Sequence, residues 1–160
     1  MKNLYREGCL IIKHDDVLDE VWQEKLSKIM EVIKLPLFVR FIDKGYISVF
    51  KDGIDLQMDK PFDHRHDRVR AYPLNKIQRE GVIKIFKDIV YAGIKTGYTL
   101  ADFTRRNIIL VDDTPYLIDF DVIIEGELNM DYINIFQKML DYLEIKYRFD
   151  GDLKKLYEKL

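Results

Sequence analysis

The segment that decides the fold prediction runs from Thr99 to Asp121 and reads TLADFTRRNIILVDDTPYLIDFD. It contains two apolar runs, at 107–111 and 116–120, which are joined by Asp-Asp-Thr-Pro at 112–115. Short apolar runs on either side of a turn-forming sequence are typical of a β-hairpin. The segment therefore predicts a hairpin whose open end carries polar side chains.

Three polar residues of this segment, Asp102, Asn107 and Asp119, are predicted to meet at one cleft. Only four residues separate Asp102 from Asn107, so the chain can turn back on itself between them. Strand ends joined by a short turn lie about 5 Å apart, which returns Asp119 to the side of Asn107. Two carboxylates and an amide oxygen suit Mg²⁺ and its substrate phosphates. Each residue alone is also typical of a turn or cap, but Asp119 lies inside an apolar run, where an unpaired carboxylate is costly.

The chain on both sides of this segment predicts an α+β protein, with a sheet-rich first third and a helical remainder. Gly45 is expected in a hairpin turn, Pro73 in the first turn of a helix and Gly97 at the end of that helix. The predicted elements are a strand at 9–13, a helix from a cap at Asp15 or Asp16 to Lys34, strands at 37–42 and 46–50, a loop at 59–72, a helix from Pro73 to Lys95, and helices at 130–147 and 151–160.

Two of these helices have a predicted buried face, because their apolar residues recur at three- and four-residue steps. In the first helix the face comprises Leu18, Val21, Trp22, Leu26, Ile29, Met30 and Ile33. In the long helix it comprises Ile77, Val82, Ile85, Phe86 and Ile89.

The Thr99–Asp121 segment resembles the catalytic core of the protein-kinase-like fold. In that fold an Asp, four residues and an Asn are followed about a dozen residues later by an Asp-Phe-Gly magnesium motif. Asp102 and Asn107 match the first motif, and Asp119-Phe120-Asp121 matches the second. Asp in place of the glycine is similar to small-molecule and atypical kinases. The resemblance covers about residues 9–145, and its specific part is 98–121.

The resemblance implies counterparts for the flanking elements. The helix at 74–96 resembles the long helix that leads into the catalytic loop. Residues 37–55 resemble the fourth and fifth strands of the kinase N-lobe and the hinge, with 49–56 as the hinge itself. The helix at 16–34 resembles the regulatory helix. Asp131 either resembles the aspartate that holds the catalytic loop from behind or caps a helix.

The resemblance also implies how ATP would be held. Lys13 would pair with the α- and β-phosphates and be oriented by a glutamate of the 16–34 helix. Glu24 is the preferred glutamate, with Glu20 and Glu31 as alternatives. A lysine that ends a strand is otherwise typical of a solvated edge position.

The catalytic segment would supply the remaining groups. Asp102 would orient the hydroxyl that is phosphorylated, or accept its proton. Asn107 and Asp119 would hold Mg²⁺ against the ATP phosphates. Arg106, or Arg105, would neutralise charge on the transferred group, because phosphoryl transfer depends mostly on positioning and electrostatics.

Three features depart from the kinase pattern. Leu100-Ala101 replaces the usual His-Arg before the catalytic Asp. Only twelve residues precede Lys13, and Gly8 is their single glycine, so the glycine-rich phosphate loop is shortened or absent. Only 39 residues follow Asp121, without an Ala-Pro-Glu motif, which excludes a regulated protein kinase of ordinary size.

Composition limits the partners and the compartment. The 160 residues include 26 basic and 28 acidic ones, and a net charge of −2 gives no reason to expect binding to nucleic acid or to an anionic membrane. The single cysteine, Cys9, fits a reducing compartment. Apolar runs are shorter than the about 18–20 residues of a membrane span, and the N-terminus is too polar for a signal peptide. We expect a cytoplasmic protein.

The sequence predicts a single kinase-like domain, with a reduced β-rich N-lobe at 1–57 and a truncated helical C-lobe at 58–160. The predicted function is transfer of the γ-phosphoryl group of Mg-ATP to a hydroxyl acceptor on a protein or small molecule. The alternative is a catalytically inactive pseudokinase that acts as an interaction or regulatory module, which the missing glycine loop favours. The reduced N-lobe also leaves room for completion by a partner chain.

A third interpretation concerns the sequence Asp-His-Arg-His-Asp at 63–67. His64 and His66 with flanking carboxylates have the chemistry of a transition-metal site. The remaining histidine, His14, is far along the chain, so the cluster is better interpreted as a solvated loop.

Overall fold

The computed structural model describes residues 3–56, 74–101, 108–126 and 130–148, which form an α+β protein with small antiparallel sheets. This confirms the predicted α+β class. The elements are β1 (Asn3–Glu7), β2 (Leu10–His14), α1 (Glu20–Met30), β3 (Phe38–Ile42), β4 (Gly45–Val49), β5 (Ile54–Asp55), α2 (Lys76–Thr96), β6 (Tyr98–Leu100), β7 (Ile108–Val111), β8 (Thr114–Leu117), β9 (Ile123–Glu125) and α3 (Met130–Tyr142).

The first part of the chain forms a four-stranded antiparallel sheet in the order β1-β2-β4-β3. The turn between β3 and β4 lies where the sequence predicted it, but its residue of positive φ is Lys44, not Gly45. Gly45 is needed for a different reason. A Cβ atom there would lie 2.0 Å from the carbonyl oxygen of Lys13, so only glycine lets β4 approach β2 at this point.

Helix α1 is shorter than predicted at both ends, because its N-cap is Asp19, not Asp15 or Asp16, and its C-cap is Glu31, before the predicted end at Lys34. The Asp19 side chain accepts a hydrogen bond from the Trp22 N–H, which satisfies one of the free donors at a helix start. The predicted apolar face is buried except at Val21, which is exposed, and at Met30, which is half-buried. The helix thus packs on the core through residues such as Trp22, Leu26 and Ile29.

Helix α2 matches the predicted long helix, although it begins later. Asn75 caps it through a reciprocal pair of hydrogen bonds with Gln78, and Lys76 is its first residue, so its first turn lies beyond the predicted start at Pro73. The C-cap at Gly97 is confirmed, with φ of 79°. Ile77, which was predicted to be buried, is exposed because the capped first turn extends beyond the core.

The predicted hairpin after residue 107 is confirmed, with shorter strands. Strands β7 and β8 pair around the turn residues Asp112 and Asp113, and Asp112 has a φ of 52°. Asp119 therefore lies beyond the end of β8, not within a strand. Strands β1, β5, β6 and β9 were not predicted. Each is a short or exposed strand with a weak hydrophobic pattern.

One continuous apolar core joins the sheet and the helices. Its largest fully buried side chains include Phe86 of α2, Phe120 and Phe136 of α3. Helix α3 (Met130–Tyr142) confirms the predicted helix at 130–147 but ends five residues earlier, and the predicted helix at 151–160 lies outside the described residues. No helix in the described ranges is long and apolar enough to cross a membrane.

Candidate functional site

Lys13 lies at the centre of the site, on β2, and only 5% of its surface is exposed. Its ammonium group forms an ion pair with an oxygen of Asp121 and lies 3.6 Å from Oδ1 of Asp119. A buried charge without a partner is costly, and the two carboxylates offset that cost. We call these three residues, Lys13, Asp119 and Asp121, the ion cluster.

The four-stranded sheet determines where Lys13 points. Residues two apart in a strand share a face, so Ile11 and Lys13 face the same side of the sheet, opposite to Ile12. Lys13 is paired with Tyr46 of β4, and Ile11 with Ser48. This face therefore presents a charged group at one end and an apolar group at the other.

The two carboxylates of the ion cluster differ in accessibility. The Asp119 side chain is 34% exposed, whereas the Asp121 side chain is 15% exposed. The backbone N–H of Asp121 donates to Oδ1 of Asp119 at 3.2 Å, and the hydroxyl of Tyr46 donates to Oδ1 of Asp121 at 3.1 Å. Asp119 is thus the more exposed of the two carboxylates, and Asp121 is the one that also accepts from a side-chain hydroxyl.

Electrostatics follow from this burial. Burial raises the pKa of Asp121 above its usual range, the negative charge of Asp119 adds to that rise, and the ion pair with Lys13 opposes it. Burial and the charges of Asp121 and Asp119 also raise the pKa of Tyr46. The Tyr46 hydroxyl therefore keeps its proton and remains a donor to Asp121.

Aromatic side chains support the segment that carries the carboxylates. Trp22 of α1 donates from Nε1 to the backbone carbonyl of Phe120 at 3.0 Å, in a buried setting. The Trp22 ring stacks on Tyr46 with centroids 5.5 Å apart and meets Phe41 edge-on at 5.6 Å. The Phe120 ring lies 5.5 Å from that of Tyr46. Helix α1, the sheet and the 119–121 segment thus meet at these rings.

A cavity of about 250 Å³, which we call the apolar slot, is lined by chain neighbours of the ion cluster. Ile11 lies two residues before Lys13 on the same strand face, and Ile118 directly precedes Asp119. The slot is lined by Ile11, Leu37, Ser48, Val49, Phe50, Lys51, Asp52, Gly53, Ile109 and Ile118. A larger cavity of about 620 Å³ lies between Asp19 and Lys44, and no member of the ion cluster is in the lining of either cavity.

The segment after β4 forms one wall of the apolar slot. The N–H of Phe50 donates to the carbonyl of Cys9 at 2.7 Å, and the Arg6 guanidinium lies 3.7 Å from the centre of the Phe50 ring. No backbone hydrogen bond within the described ranges uses Lys51 or Asp52.

Glu24 is not brought to Lys13. Its side chain is 72% exposed and lies 3.7 Å from Lys28 one helical turn away. The physical reason is helix geometry: Trp22 occupies the inward face of α1, and two residues later the helix has turned by about 200°. Neither of the alternative glutamates pairs with Lys13 in its place. Glu20 is the first residue of α1, Glu31 is the C-cap of that helix, and both are exposed. The described ion pairs of Lys13 are those with Asp119 and Asp121.

The other predicted site residues lie outside the described residues. These are Asp102, Arg105, Arg106 and Asn107, as well as His64 and His66, and the same holds for the side chain of Asp131. Within the described part of the chain, no group of three His, Cys, Asp or Glu residues could hold a metal ion. Of the predicted magnesium ligands, Asn107 and Asp119, the structure describes Asp119, whose side chain is 34% exposed.

Three residues of the site were not assigned to it from the sequence. Asp121 was noted only as a replacement for glycine, Trp22 only as part of an apolar helix face, and Tyr46 only as part of a strand. A signal for Trp22 does exist, because a buried indole N–H needs an acceptor. The sequence does not indicate which acceptor that would be.

Comparisons with known proteins were made for the whole chain. A scan against protein-family models found no match, and a search of the curated proteins found none either. The interpretation of the site therefore rests on its own residues and contacts.

Proposed function

We propose that this protein binds Mg-ATP and transfers its γ-phosphoryl group to a hydroxyl acceptor, as a minimal member of the protein-kinase-like fold. One observation carries the proposal. A buried lysine of the sheet, Lys13, lies 3.6 Å from an accessible carboxylate, Asp119, and their neighbours along the chain, Ile11 and Ile118, line the apolar slot. The lysine and the carboxylate are the two groups that the kinase resemblance assigns to phosphates and magnesium.

The apolar slot supports binding of a planar base. Its apolar walls include Ile11, Val49 and Ile109, and ligand sites are typically apolar cavities with a few polar groups that determine orientation. Lys51 and Asp52 also line the slot, and their backbone groups would supply the polar contacts at that wall. A nucleobase in the slot would leave its phosphates on the side of the ion cluster, because Ile11 and Lys13 share a strand face.

The ion cluster supports binding of phosphate and a hard cation. Lys13 has the charge for phosphate oxygens, and Asp119 has the accessible oxygens that Mg²⁺ prefers. On the resemblance, Asn107 would be the second metal ligand, Asp102 would orient the acceptor hydroxyl, and Arg106 would neutralise the transferred group. Bound Mg²⁺ would supply charge neutralisation at the phosphates.

Calorimetry and thermal unfolding with ATP, each with and without Mg²⁺, test this proposal. A ligand at 100 times its Kd stabilises a protein by about 2.7 kcal/mol, so magnesium-dependent binding should be readily detected. Asp119→Asn should remove the magnesium dependence. Asp88→Asn is the matched control, because the Asp88 side chain is equally exposed, at 34%, but pairs with Lys84 on the surface. Absence of stabilisation by ATP with or without Mg²⁺ would overturn the proposal.

A second candidate, the inactive pseudokinase, is favoured by a specific observation. Lys13 already pairs with Asp121, a carboxylate at the position where kinases have glycine, and the β1–β2 turn at Gly8 and Cys9 has no glycine-rich loop. An assay of phosphoryl transfer from ATP to hydroxyl acceptors distinguishes the active enzyme from the inactive pseudokinase. The enzyme should transfer phosphate, and Asp102→Ala should stop transfer while ATP binding is kept. Tight Mg-ATP binding without turnover on any acceptor would favour the pseudokinase.

A further inference from the structure

Helix α1 contacts the 119–121 segment through an aromatic side chain and not through a carboxylate. The indole N–H of Trp22 donates to the Phe120 carbonyl, the backbone group that lies between the two carboxylates of the ion cluster. Trp22 is buried, and so is this hydrogen bond. A buried donor that loses its acceptor costs free energy, so the position of α1 and the position of this carbonyl are linked.

Tyr46 supplies the second contact to the same segment. Its hydroxyl donates to Asp121 at 3.1 Å, and its ring stacks on Trp22 with an interplanar angle of 29°. In the sheet, Tyr46 is directly paired with Lys13. The Trp22–Tyr46 pair therefore contacts the 119–121 segment at two consecutive residues, Phe120 and Asp121. It also lies beside Lys13, which pairs with the carboxylates of that segment.

We infer that Trp22 and Tyr46 are positioning residues, which hold the carboxylates of Asp119 and Asp121 close enough to pair with the ammonium group of Lys13. In this chain α1 is thus coupled to the ligand site by the indole hydrogen bond. The exposed Glu24 carboxylate does not provide that link. What the site binds rests on the proposed function, whereas the coupling itself is a property of the ligand-free protein. Each is tested by a separate measurement.

The coupling is tested first without ligand. Trp22 is the single tryptophan of the chain, so one indole N–H resonance in a ¹⁵N-resolved NMR spectrum reports on it. Asp121→Asn should shift that resonance, because it changes the group to which Tyr46 donates. Lys28→Met, an exposed position on the same helix, is the matched control and should leave the resonance in place. An indole resonance that is the same in all three proteins would overturn the inference, whatever the protein binds.

The consequence for the site is tested with Mg-ATP. Replacement of Trp22 by benzothienylalanine substitutes sulfur for the N–H and keeps the ring, and Tyr46→Phe removes only the hydroxyl. Each should weaken Mg-ATP binding about tenfold in calorimetry, the size of effect expected for one lost buried hydrogen bond. Both variants should keep the thermal unfolding transition of a folded protein.

Phe41→Leu is the control for a merely structural effect. Phe41 packs edge-on against Trp22 but makes no polar contact with the 119–121 segment in the described structure. It should lower stability without changing Mg-ATP affinity. If Mg-ATP binds the wild type and the Trp22 and Tyr46 variants bind equally well, the inference is wrong and the proposed function stands. If the wild type binds no nucleotide, the proposed function is wrong, and the ligand-free NMR comparison still decides the coupling.

Discussion

The ion cluster and the apolar slot are neighbours, yet they depend on their residues in different ways. In the ion cluster, Lys13 has specific partners, Asp119 and Asp121, and each buried charge requires the others. In the apolar slot, the lining side chains contribute mainly shape and apolar surface. Apolar surfaces tolerate exchanges of similar volume, whereas removal of one member of a buried ion pair leaves an uncompensated charge.

This contrast shows where the site is vulnerable. One substitution in the ion cluster changes the electrostatics of both remaining members and of Tyr46, whose hydroxyl donates to Asp121. A substitution in the slot changes a cavity that is already present. We therefore expect larger effects on stability from the ion cluster than from the slot.

Lys13→Met should have the largest effect. It leaves two carboxylates without their cation, one of them largely buried, and should lower the free energy of unfolding by about 3–5 kcal/mol. Urea unfolding at pH 7 measures this. Addition of Asp121→Asn to Lys13→Met should restore part of the loss, since it removes one uncompensated charge. A single variant as stable as the wild type would contradict the importance given to the pairing.

Ile109→Ala should have a smaller effect, of about 2 kcal/mol. That is the low end of the range for such truncations, because Ile109 already borders a cavity. Ile109→Leu, which keeps the volume, should cost less than about 1.5 kcal/mol. The same urea experiment applies. If Ile109→Ala were as damaging as Lys13→Met, the contrast between slot and ion cluster would not hold.

The raised pKa of Asp121 predicts a pH dependence of definite sign. Between the ordinary carboxyl pKa and the raised value, the folded protein binds more protons than the unfolded chain. The contribution of Asp121 to the free energy of unfolding is therefore largest below this window, and it declines as pH rises through the raised pKa. The free energy of unfolding of the wild type minus that of Asp121→Asn should fall over the window and then stay constant. Urea unfolding at successive pH values measures this difference, and a rise with pH would contradict the assigned cause.

Glu24→Ala should have the smallest effect, a few tenths of a kcal/mol, because the Glu24–Lys28 pair is exposed. Mg-ATP affinity should not change either. A loss of affinity comparable to that from Trp22 substitution would show that Glu24 reaches Lys13 when ligand is bound. This comparison therefore distinguishes the indole link from the carboxylate link.

Much of the fold was predictable from local patterns. The long helix α2, its C-cap at Gly97 and the β7–β8 hairpin follow from hydrophobic periodicity and turn residues, which act over a few positions. The errors are local as well. Asp19 competes with Asp15 and Asp16 for the cap of α1, and a four-residue window contains no means of choosing between them. Strand β1 was missed because all its residues are exposed and its pairing partner is β2.

The site was predictable in part. Order and spacing along the chain singled out Lys13 and Asp119, and the structure brings these two together. The predicted contact between Glu24 and Lys13 is wrong in this structure, because Glu24 is exposed and lies beside Lys28. Which face of a helix points inward depends on all of its apolar side chains together. Asp102, Arg106 and Asn107 remain predictions.

The sequence by itself determined the order of the elements and the residue types that can carry charge at the site, because helix and strand patterns and turn residues are local properties. Only the tertiary structure decided which groups meet. The Trp22 indole and the Phe120 carbonyl are 98 positions apart, and Tyr46 and Asp121 are 75 apart. No local pattern encodes such pairs, because packing of the whole core determines which buried donor finds which acceptor.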